Sequence, residues 1–214
     1  MNIIDVFQKG LLYGSERLPF DRSKRYAYVE HPTEGWRVYL RSCAFLHPNE
    51  PFNPRHFLVV KKTGSYKTSA VWEPPKGQME GKDIKKSSVL QLLKENVLRE
   101  VSEESHITRI TDLHHTGLVF QSQERDYPKN HYFQYHLFRG QITPEQITKS
   151  FDTFEWIKEP PKGFARWSRD RKEKDAAAWF NPRETRLNPR WTPDIVALYL
   201  RNYNSNLLNL RSND

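Results

Sequence analysis

The chain has 214 residues, enough for one domain with extensions, and a low hydrophobic content of 36% that 12 Phe, 10 Tyr and 6 Trp help to offset. The formal net charge of +8 and the pI near 9.5 favour anionic partners, without separating RNA from a phosphorylated small molecule or a membrane surface. The single cysteine, Cys43, excludes an internal disulfide and a cysteine zinc cluster. Because no long apolar run and no signal-peptide pattern is present, we expect no membrane partner and a cytoplasmic protein, with nuclear localisation left open.

Two strands are predicted before the centre of the chain. The segments WRVYLRSCAFLH (Trp36 to His47) and HFLVVKK (His56 to Lys62) are rich in β-branched and aromatic residues, and a loop with Pro and Asn separates them. A glycine-containing turn, PPKG, follows and leads into a helix that carries the sequence REVSEES. We therefore assign residues 1–35 to an N-terminal extension and residues 36–160 to the main domain.

The strand pattern returns after the central helix. HTGLVFQ and HYFQYHLFRGQI are separated by a polar stretch and are expected to pair antiparallel. TPEQITKSF predicts a helix with Thr143 as N-cap and Pro144 in its first position, and TPDIVALYLRNY begins in the same way at Thr192 and Pro193. Strands on both sides of a helix indicate an α+β or α/β sandwich. We expect residues 161–214 to be an extension that ends in a helix and packs on the same domain.

The central helix carries three carboxylates on one face. They belong to Glu100, Glu103 and Glu104. At roughly 100° per residue they fall within about 100° of one another, and the apolar group Val97, Leu98 and Val101 centres roughly 110° away. We expect the helix to pack that apolar side on a sheet and to direct the acids across a cleft. Clustered carboxylate oxygens suit Mg²⁺ or Mn²⁺, and the alternative is a solvated acidic face neutralised by Arg99 and Lys94.

The turn and the helix together resemble the Nudix box. Its pattern is Gly, five residues, Glu, seven residues, then Arg-Glu-apolar-x-Glu-Glu-x-Gly-apolar. The matching positions are Gly77, Arg99, Glu100, Val101, Glu103, Glu104 and Ile107. The resemblance implies a Nudix-type α/β/α sandwich with a mixed sheet, to which the N- and C-terminal extensions are added. It also implies a pyrophosphohydrolase that cleaves a phosphoanhydride bond with the help of a metal ion.

Roles for individual residues follow from the same resemblance. The implied ligands for Mg²⁺ or Mn²⁺ are the carbonyl of Gly77 and the carboxylates of Glu100, Glu103 and Glu104. Together with Arg99, which would orient them by ion pairing, the glutamates form the implied catalytic set, and Glu100 is either a ligand or the base that activates water. The ion would offset the charge on the attacked pyrophosphate and lower the pKa of a bound water. Lys76 either reaches a phosphate or is an ordinary exposed lysine.

The chain departs from the box at three places. Asp83 stands where the box has its first Glu, and 15 residues, Ile84 to Leu98, separate it from Arg99 instead of seven. On a continuous helix the apolar residues of this insertion would lie on the side of the acids and not on the side of Val97 and Val101. We therefore expect the insertion to form a separate turn or a kinked helical extension. Its apolar residues are Val89, Leu90, Leu92 and Leu93. His106 replaces the glycine that closes the helix, where a left-handed residue is usual.

A second resemblance, from Arg41 to Glu159, concerns the substrate. RSCAFL, LVVKKTG, PPKGQME, REVSEES, GLVFQSQERDYPKNHYFQYHL and FEWIKE occur in the order and approximate spacing found in the diphosphoinositol polyphosphate phosphohydrolases. That family grips the inositol phosphates with basic residues at matching places. The implied substrate-binding residues are Arg41, Lys61, Lys62, Arg125 and, as a further candidate, Lys67, besides Lys76. The segment SFDTFEW lacks the basic residues that the family has before Trp156.

Other interpretations stay open at this point. Each basic residue taken alone is also typical of a solvated surface. The same basic surface would attract capped RNA, so removal of the mRNA 5′ cap is the main alternative, and dinucleoside polyphosphates and nucleotide sugars are further substrates to consider. A protein that only binds a phosphorylated ligand or RNA is a third possibility, which the intact glutamates disfavour. The sequence leaves the oligomeric state and the choice between Mg²⁺ and Mn²⁺ undetermined.

Overall fold

The computed structural model describes residues 2–19, 21–49, 51–84, 87–159 and 162–211. In these ranges the strands are β1 (Leu12–Leu18), β2 (Asp21–Glu30), β3 (Arg37–Pro48), β4 (Leu58–Lys62), β5 (Trp72–Glu73), β6 (Lys76–Gln78), β7 (Thr111–Ser122), β8 (His131–Ile142) and β9 (Lys174–Trp179). The helices are α1 (Val89–Ser105), α2 (Pro144–Lys158) and α3 (Thr192–Arg211). Short 3-10 turns occur at Gly81–Asp83, Lys162–Arg166 and Asp170–Lys172.

The strands of the described ranges form two sheets. The larger sheet has the order β1-β2-β3-β8-β7, and β6 also pairs with β3. Strands β3 and β8 run parallel over their whole length, whereas the other pairs in this sheet are antiparallel. The smaller sheet has the order β5-β4-β9. The sheet is therefore mixed, as expected, and the predicted antiparallel pairing of β7 with β8 is confirmed.

Strand β3 lies at the centre because both of its faces are covered. Its alternating residues enter two different apolar clusters. Leu40 packs in the cluster that holds Val97 of α1, and Phe45 packs in the cluster that holds Tyr199 of α3. The rings of Phe45 and Tyr199 stack with their centroids 3.7 Å apart. Helices α1 and α3 thus lie on opposite faces of the sheet, and the predicted α/β/α sandwich is confirmed.

Helix α1 is one continuous helix, so the expectation of a separate turn or a kinked extension is wrong. It begins after Ser88, whose side chain accepts a hydrogen bond from the backbone N–H of Gln91 over 3.3 Å. Its buried residues recur at intervals of three and four along its whole length, which is the period of one helical face. They are Val89, Leu92, Leu93, Asn96, Val97, Glu100, Val101, Glu104 and Ser105. The inserted residues from Val89 onward therefore extend the motif helix by further turns of the same buried stripe.

This stripe also corrects the predicted direction of the acids. Glu100 and Glu104 are 9% and 4% exposed and belong to the buried face, whereas Leu98 is 39% exposed. The two glutamates follow Val97 and Val101 at the helical spacing of three residues, so they share their side of the helix. Glu100 and Glu104 are therefore neighbours of the apolar group on one stripe, not a face of their own, while all three glutamates line a cavity, as the expected cleft requires.

The predicted helix starts agree with the structure to within one residue, whereas α2 and α3 run further than the segments that predicted them, to Lys158 and Arg211. Thr143 caps α2 by accepting a hydrogen bond from the backbone N–H of Gln146, and α3 begins at Thr192. His106 takes the left-handed conformation (φ 59°) that ends α1. Its ring packs against Phe154, which gives a structural reason for a histidine at a position that favours glycine. None of the helices in the described ranges has the length and apolar content needed to cross a bilayer.

Candidate active site

An open cavity of about 840 Å³ lies where α1, β3, β6 and the segment around β9 meet. It is lined by most of the residues that the sequence singles out. These are Arg41, Lys62, Lys76, Gly77, Arg99, Glu100, Glu103 and Glu104. The helix places the glutamates along one wall, and the edge strand β6 brings Gly77 up to them. The structure thus brings the glycine and the glutamates of the motif together.

The backbone of Gly77 is in direct contact with the carboxylate of Glu100. A Cβ atom at position 77 would lie 2.2 Å from Cδ of Glu100 and 2.3 Å from each of its oxygens. Asn96, one turn earlier on α1, donates a hydrogen bond from Nδ2 to the Gly77 carbonyl oxygen over 3.4 Å and bonds to Ser42 as well. A side chain at position 77 would force the buried carboxylate of Glu100 to move from this position.

Arg99 connects the glutamates to each other and to β6. Its guanidinium forms ion pairs with Glu100 Oε1 and with Glu103 Oε2, both over 2.8 Å. It also donates hydrogen bonds to the carbonyl of Gln78 over 3.2 Å and to Asn96 Oδ1 over 2.7 Å. A planar guanidinium with several donors is suited to such simultaneous bonds. This is the geometry that an orienting residue needs.

The carboxylate of Glu104 is held by two lysines. Its Oε2 accepts a hydrogen bond from the backbone N–H of Lys76, and its Oε1 pairs with Lys174, each over 2.9 Å. Lys174 also pairs with Glu73 over 2.5 Å, and the ammonium of Lys76 lies 2.8 Å from Glu73. Lys76 is thus neither an ordinary exposed lysine nor free to turn to a phosphate without leaving Glu73.

Burial and neighbouring charges shift the pKa values of these acids in different directions. Burial, reinforced by the charges of Glu104 and Glu103 against the opposing effect of Arg99, raises the pKa of Glu100 to about 8. Burial also raises the pKa of Glu104, although Lys174 opposes it. For Glu73 burial is again the largest effect, but Lys76 and Lys174 together outweigh it and hold the pKa at about 2.

The donor set of the site consists of oxygen atoms, which is the chemistry that Mg²⁺ and Mn²⁺ prefer. Among the described residues, however, no three acidic, histidine or cysteine side chains converge as a preformed metal site. The glutamate side chains are instead turned to Arg99 and Lys174. The residues fit a hard divalent ion by their donor type, and binding requires some carboxylates to exchange their ion pairs for the ion. The side chain of Asp83, at the first acidic position of the box, lies outside the described residues.

The predicted substrate-binding residues separate into two groups. Arg41 is 4% exposed and its guanidinium pairs with Glu124 over 3.2 Å, while Lys62 lines the cavity at the end of β4. Lys61 does not reach the cavity, because successive side chains of a strand point to opposite faces, and it pairs with Asp175 over 2.5 Å. Arg125 is exposed and lies outside the cavity. The structure thus places Arg41, Lys62 and Lys76 at the cavity and Lys61 and Arg125 away from it, and Lys67 lines a different cavity.

Several cations at the cavity were missed by sequence reasoning. They are Lys24, Arg169, Lys172, Lys174 and Arg190. Lys24 comes from β2 and the others from the chain after residue 168, so all lie outside the segment that resembles a known family. Lys24 pairs with Glu80 over 3.0 Å and with Asp170 over 2.7 Å. The only local signal was the concentration of basic residues around Arg169, which does not by itself reveal a long-range contact.

Comparisons with known proteins give a weak structural likeness. No protein family matches the chain by sequence, and no curated protein matches it. The NUDIX hydrolase from Nitrosomonas europaea is 14% identical with a TM-score of 0.44, over 77% of this chain and 90% of that one. The NUDIX domain of Shewanella oneidensis NrtR, complexed with ADP ribose, is 12% identical with a TM-score of 0.46, and the match covers 81% of this chain and 94% of that domain. An Ap4A hydrolase of C. elegans is 15% identical with a TM-score of 0.41, and the match covers 79% of this chain and 98% of that hydrolase. These values establish neither family nor substrate.

Proposed function

We propose that the chain is a metal-dependent hydrolase of phosphoanhydride bonds, with the Nudix-type chemistry that its motif resembles. The observation that carries the proposal is the contact between the Gly77 backbone and the Glu100 carboxylate at the wall of a cation-rich cavity. A carbonyl beside clustered carboxylates is an oxygen-only donor set, which suits Mg²⁺ or Mn²⁺. A solvated acidic face would not require a glycine opposite it, so the contact disfavours that alternative.

The residues of the site have different roles in the proposed reaction. The carbonyl of Gly77 and the carboxylates of Glu100 and Glu103 would hold the ion, and Glu104 is the remaining member of the implied set. A bound ion supplies positive charge to the pyrophosphate and lowers the pKa of a coordinated water. Arg99 keeps Glu100 and Glu103 on the same side of the cavity through its two ion pairs. Glu100 serves either as a ligand or as the base for the attacking water.

The cations at the cavity support a substrate with several phosphates close together. Lys62 comes from the end of β4, and Arg169 and Lys172 come from one short turn before β9, but all three line one concave space. Several cations that line one space can bind phosphates that lie close together, and Arg169 offers a bidentate fork. We therefore propose diphosphoinositol polyphosphates as the preferred substrates, on the second resemblance. Capped RNA, dinucleoside polyphosphates and nucleotide sugars are the competing substrates that the experiment below separates.

A substrate panel tests the proposal. The purified chain is incubated with diphosphoinositol polyphosphates, capped RNA, dinucleoside polyphosphates and nucleotide sugars, each with Mg²⁺, with Mn²⁺ and with EDTA. We expect phosphate release from the diphosphoinositol polyphosphates that requires a divalent ion and disappears in Glu103→Gln. Cleavage of capped RNA with no phosphate release from diphosphoinositol polyphosphates would change the substrate but keep the hydrolase. Absence of hydrolysis for all four classes would refute the proposed function.

A further inference from the structure

Lys174 lies between two carboxylates at the inner end of the cavity. Its ammonium is 2.5 Å from Glu73 Oε1 and 2.9 Å from Glu104 Oε1, and its side chain is only 6% exposed. Lys76 closes the group from the other side, with its ammonium 2.8 Å from Glu73 and its backbone N–H bonded to Glu104. Two acids and two lysines from β5, β6, α1 and β9 thus form one buried cluster whose formal charges cancel.

This cluster competes with a metal ion for Glu104. Both carboxylate oxygens of Glu104 already accept a bond, one from Lys174 and one from the backbone of Lys76. A divalent ion that coordinated Glu104 would lie next to the Lys174 ammonium, where little solvent is present to screen the repulsion between the two cations. The ion and the ammonium therefore exclude each other at this carboxylate.

We propose that Lys174 is a built-in cation of the site, which occupies the place at Glu104 that a divalent ion would otherwise take. The cavity then binds one divalent ion fewer than its carboxylates would allow. The divalent ion that does bind is confined to the side of Gly77, Glu100 and Glu103. This inference rests on the proposed function for the ion on that side. Lys174 belongs to β9, outside the segment that resembles known hydrolases.

Replacement of Lys174 by an uncharged side chain of similar length tests the proposal. In Lys174→Met, the carboxylates of Glu73 and Glu104 share only Lys76, and the vacated position becomes available to a cation. The matched control is Lys62→Met, which removes the same charge from the same cavity without touching a carboxylate of the cluster. The number of bound Mn²⁺ ions per chain is measured by titration calorimetry and by electron paramagnetic resonance, in the absence of any substrate.

We expect Lys174→Met to bind one more Mn²⁺ per chain than the wild type and Lys62→Met to bind the same number as the wild type. Because the substitution leaves buried charge uncompensated, thermal unfolding is followed with and without Mn²⁺ as a second measurement. We expect Mn²⁺ to raise the Tm of Lys174→Met by more than it raises the Tm of the wild type or of Lys62→Met. Lys174→Arg, which retains the charge, should behave like the wild type in both measurements.

The possible results separate the two proposals. Equal ion numbers and equal Tm gains for Lys174→Met and the wild type would overturn the built-in cation while leaving the hydrolase intact. A Lys174→Met chain that stays unfolded at every Mn²⁺ concentration would overturn it as well, since the ion would then fail to replace the ammonium. A wild type that binds no Mn²⁺, beside a variant that does, would support the built-in cation and remove the metal from the proposed function.

Discussion

The backbone of Gly77 and the carboxylate of Glu100 are so close that no side chain fits between them. A Cβ at position 77 would come within 2.2 Å of Glu100 Cδ. This contact joins the edge strand β6 to helix α1 at the point where the sheet meets the acids. It gives a steric reason for a glycine at position 77, whatever the glycine carbonyl binds.

Substitution of this glycine should therefore disable the site. In Gly77→Ala the new methyl group must displace the Glu100 carboxylate or the backbone of β6, so we expect hydrolysis to fall by at least roughly tenfold and Tm to decrease. Activity and thermal unfolding are the measurements. Gly163→Ala is the matched control, because a Cβ at position 163 would meet nothing within 4 Å among the described residues. Full activity in Gly77→Ala would show that the contact is irrelevant to the reaction.

The two adjacent glutamates should respond differently to removal of their charge. From the sequence, Glu103→Gln and Glu104→Gln are both expected to abolish hydrolysis and to spare the fold. The side chain of Glu103 is 19% exposed and pairs with Arg99, whereas Glu104 compensates the buried Lys174. We now expect Glu103→Gln to retain its stability and Glu104→Gln to lose about 3 kcal/mol, a typical cost of a broken buried pair. Urea unfolding of both variants measures this, and equal stabilities would contradict it.

The inserted turns of α1 should contribute to the core. Leu92 is 1% exposed and packs in the cluster between α1 and the sheet, whereas Leu90 on the same segment is 46% exposed. We expect Leu92→Ala to destabilise the protein by about 2–5 kcal/mol and Leu90→Ala to have little effect. Denaturant unfolding distinguishes the two. Similar losses for both variants would mean that the stripe does not continue into the insertion.

Lowering the pH should destabilise the protein partly through His47. Its Nε2 lies 2.6 Å from the Tyr199 hydroxyl and its Nδ1 lies 2.8 Å from the His56 carbonyl, and burial lowers its pKa to about 4. Between about pH 6.5 and pH 4 the histidine of the unfolded chain, with a pKa near 6.5, binds a proton that His47 of the folded chain does not bind. The free energy of unfolding therefore falls as the pH decreases through this range. At pH 5 this amounts to about 2 kcal/mol.

The measurement is the free energy of unfolding at pH 7 and pH 5 for the wild type and for His47→Gln. Glutamine cannot titrate, so the loss between the two pH values should be smaller in the variant by about 2 kcal/mol. His136, whose pKa burial lowers to about 3, retains its own contribution in both proteins and does not affect the difference. The same loss in wild type and variant would exclude His47 as a source of the acid sensitivity.

Two single-charge substitutions test the substrate assignment. Lys62 lines the cavity, whereas the exposed Arg125 does not. For a compact phosphorylated substrate we expect Lys62→Ala to raise KM several-fold and Arg125→Ala to leave it nearly unchanged. For a long capped RNA, both would weaken binding modestly, and the salt dependence would decrease with each lost phosphate contact. Steady-state kinetics at several salt concentrations separate the two results.

Much of the fold could be read from the sequence because its signals are local. The β-branched and aromatic content of β3 and β8, the N-cap at Thr143 and the left-handed His106 depend on residues within a few positions of each other. The phase of α1 was predicted incorrectly since the glutamates were treated as a polar face. Two of them continue the buried stripe: Glu100 pairs with Arg99 of the same helix, whereas Glu104 is bonded by Lys174 and by the backbone of Lys76, which the helix does not contain.

The site was predictable only where it is built from one segment. Glu100, Glu103 and Arg99 lie within a few helical positions, and their association follows from helix geometry. Lys174 reaches Glu104 only because β9 pairs with β4 in the smaller sheet, a contact between segments more than 100 residues apart. Lys61 and Lys62 could not be told apart without knowing which face of β4 is turned to the cavity. Such pairings depend on tertiary structure, which spacing along the chain does not specify.

The position of Lys174 late in the chain has a consequence for synthesis on the ribosome. Glu73 and Glu104 leave the exit tunnel well before β9 does, and until β9 pairs with β4 the ammonium of Lys76, beside Glu73, is the one cation of the cluster already synthesised. The nascent domain therefore carries surplus negative charge at its centre and completes its packing only when the later segment arrives. Translation order thus delays assembly of the cavity, so that a nascent chain arrested before β9 would hold the motif without the finished pocket.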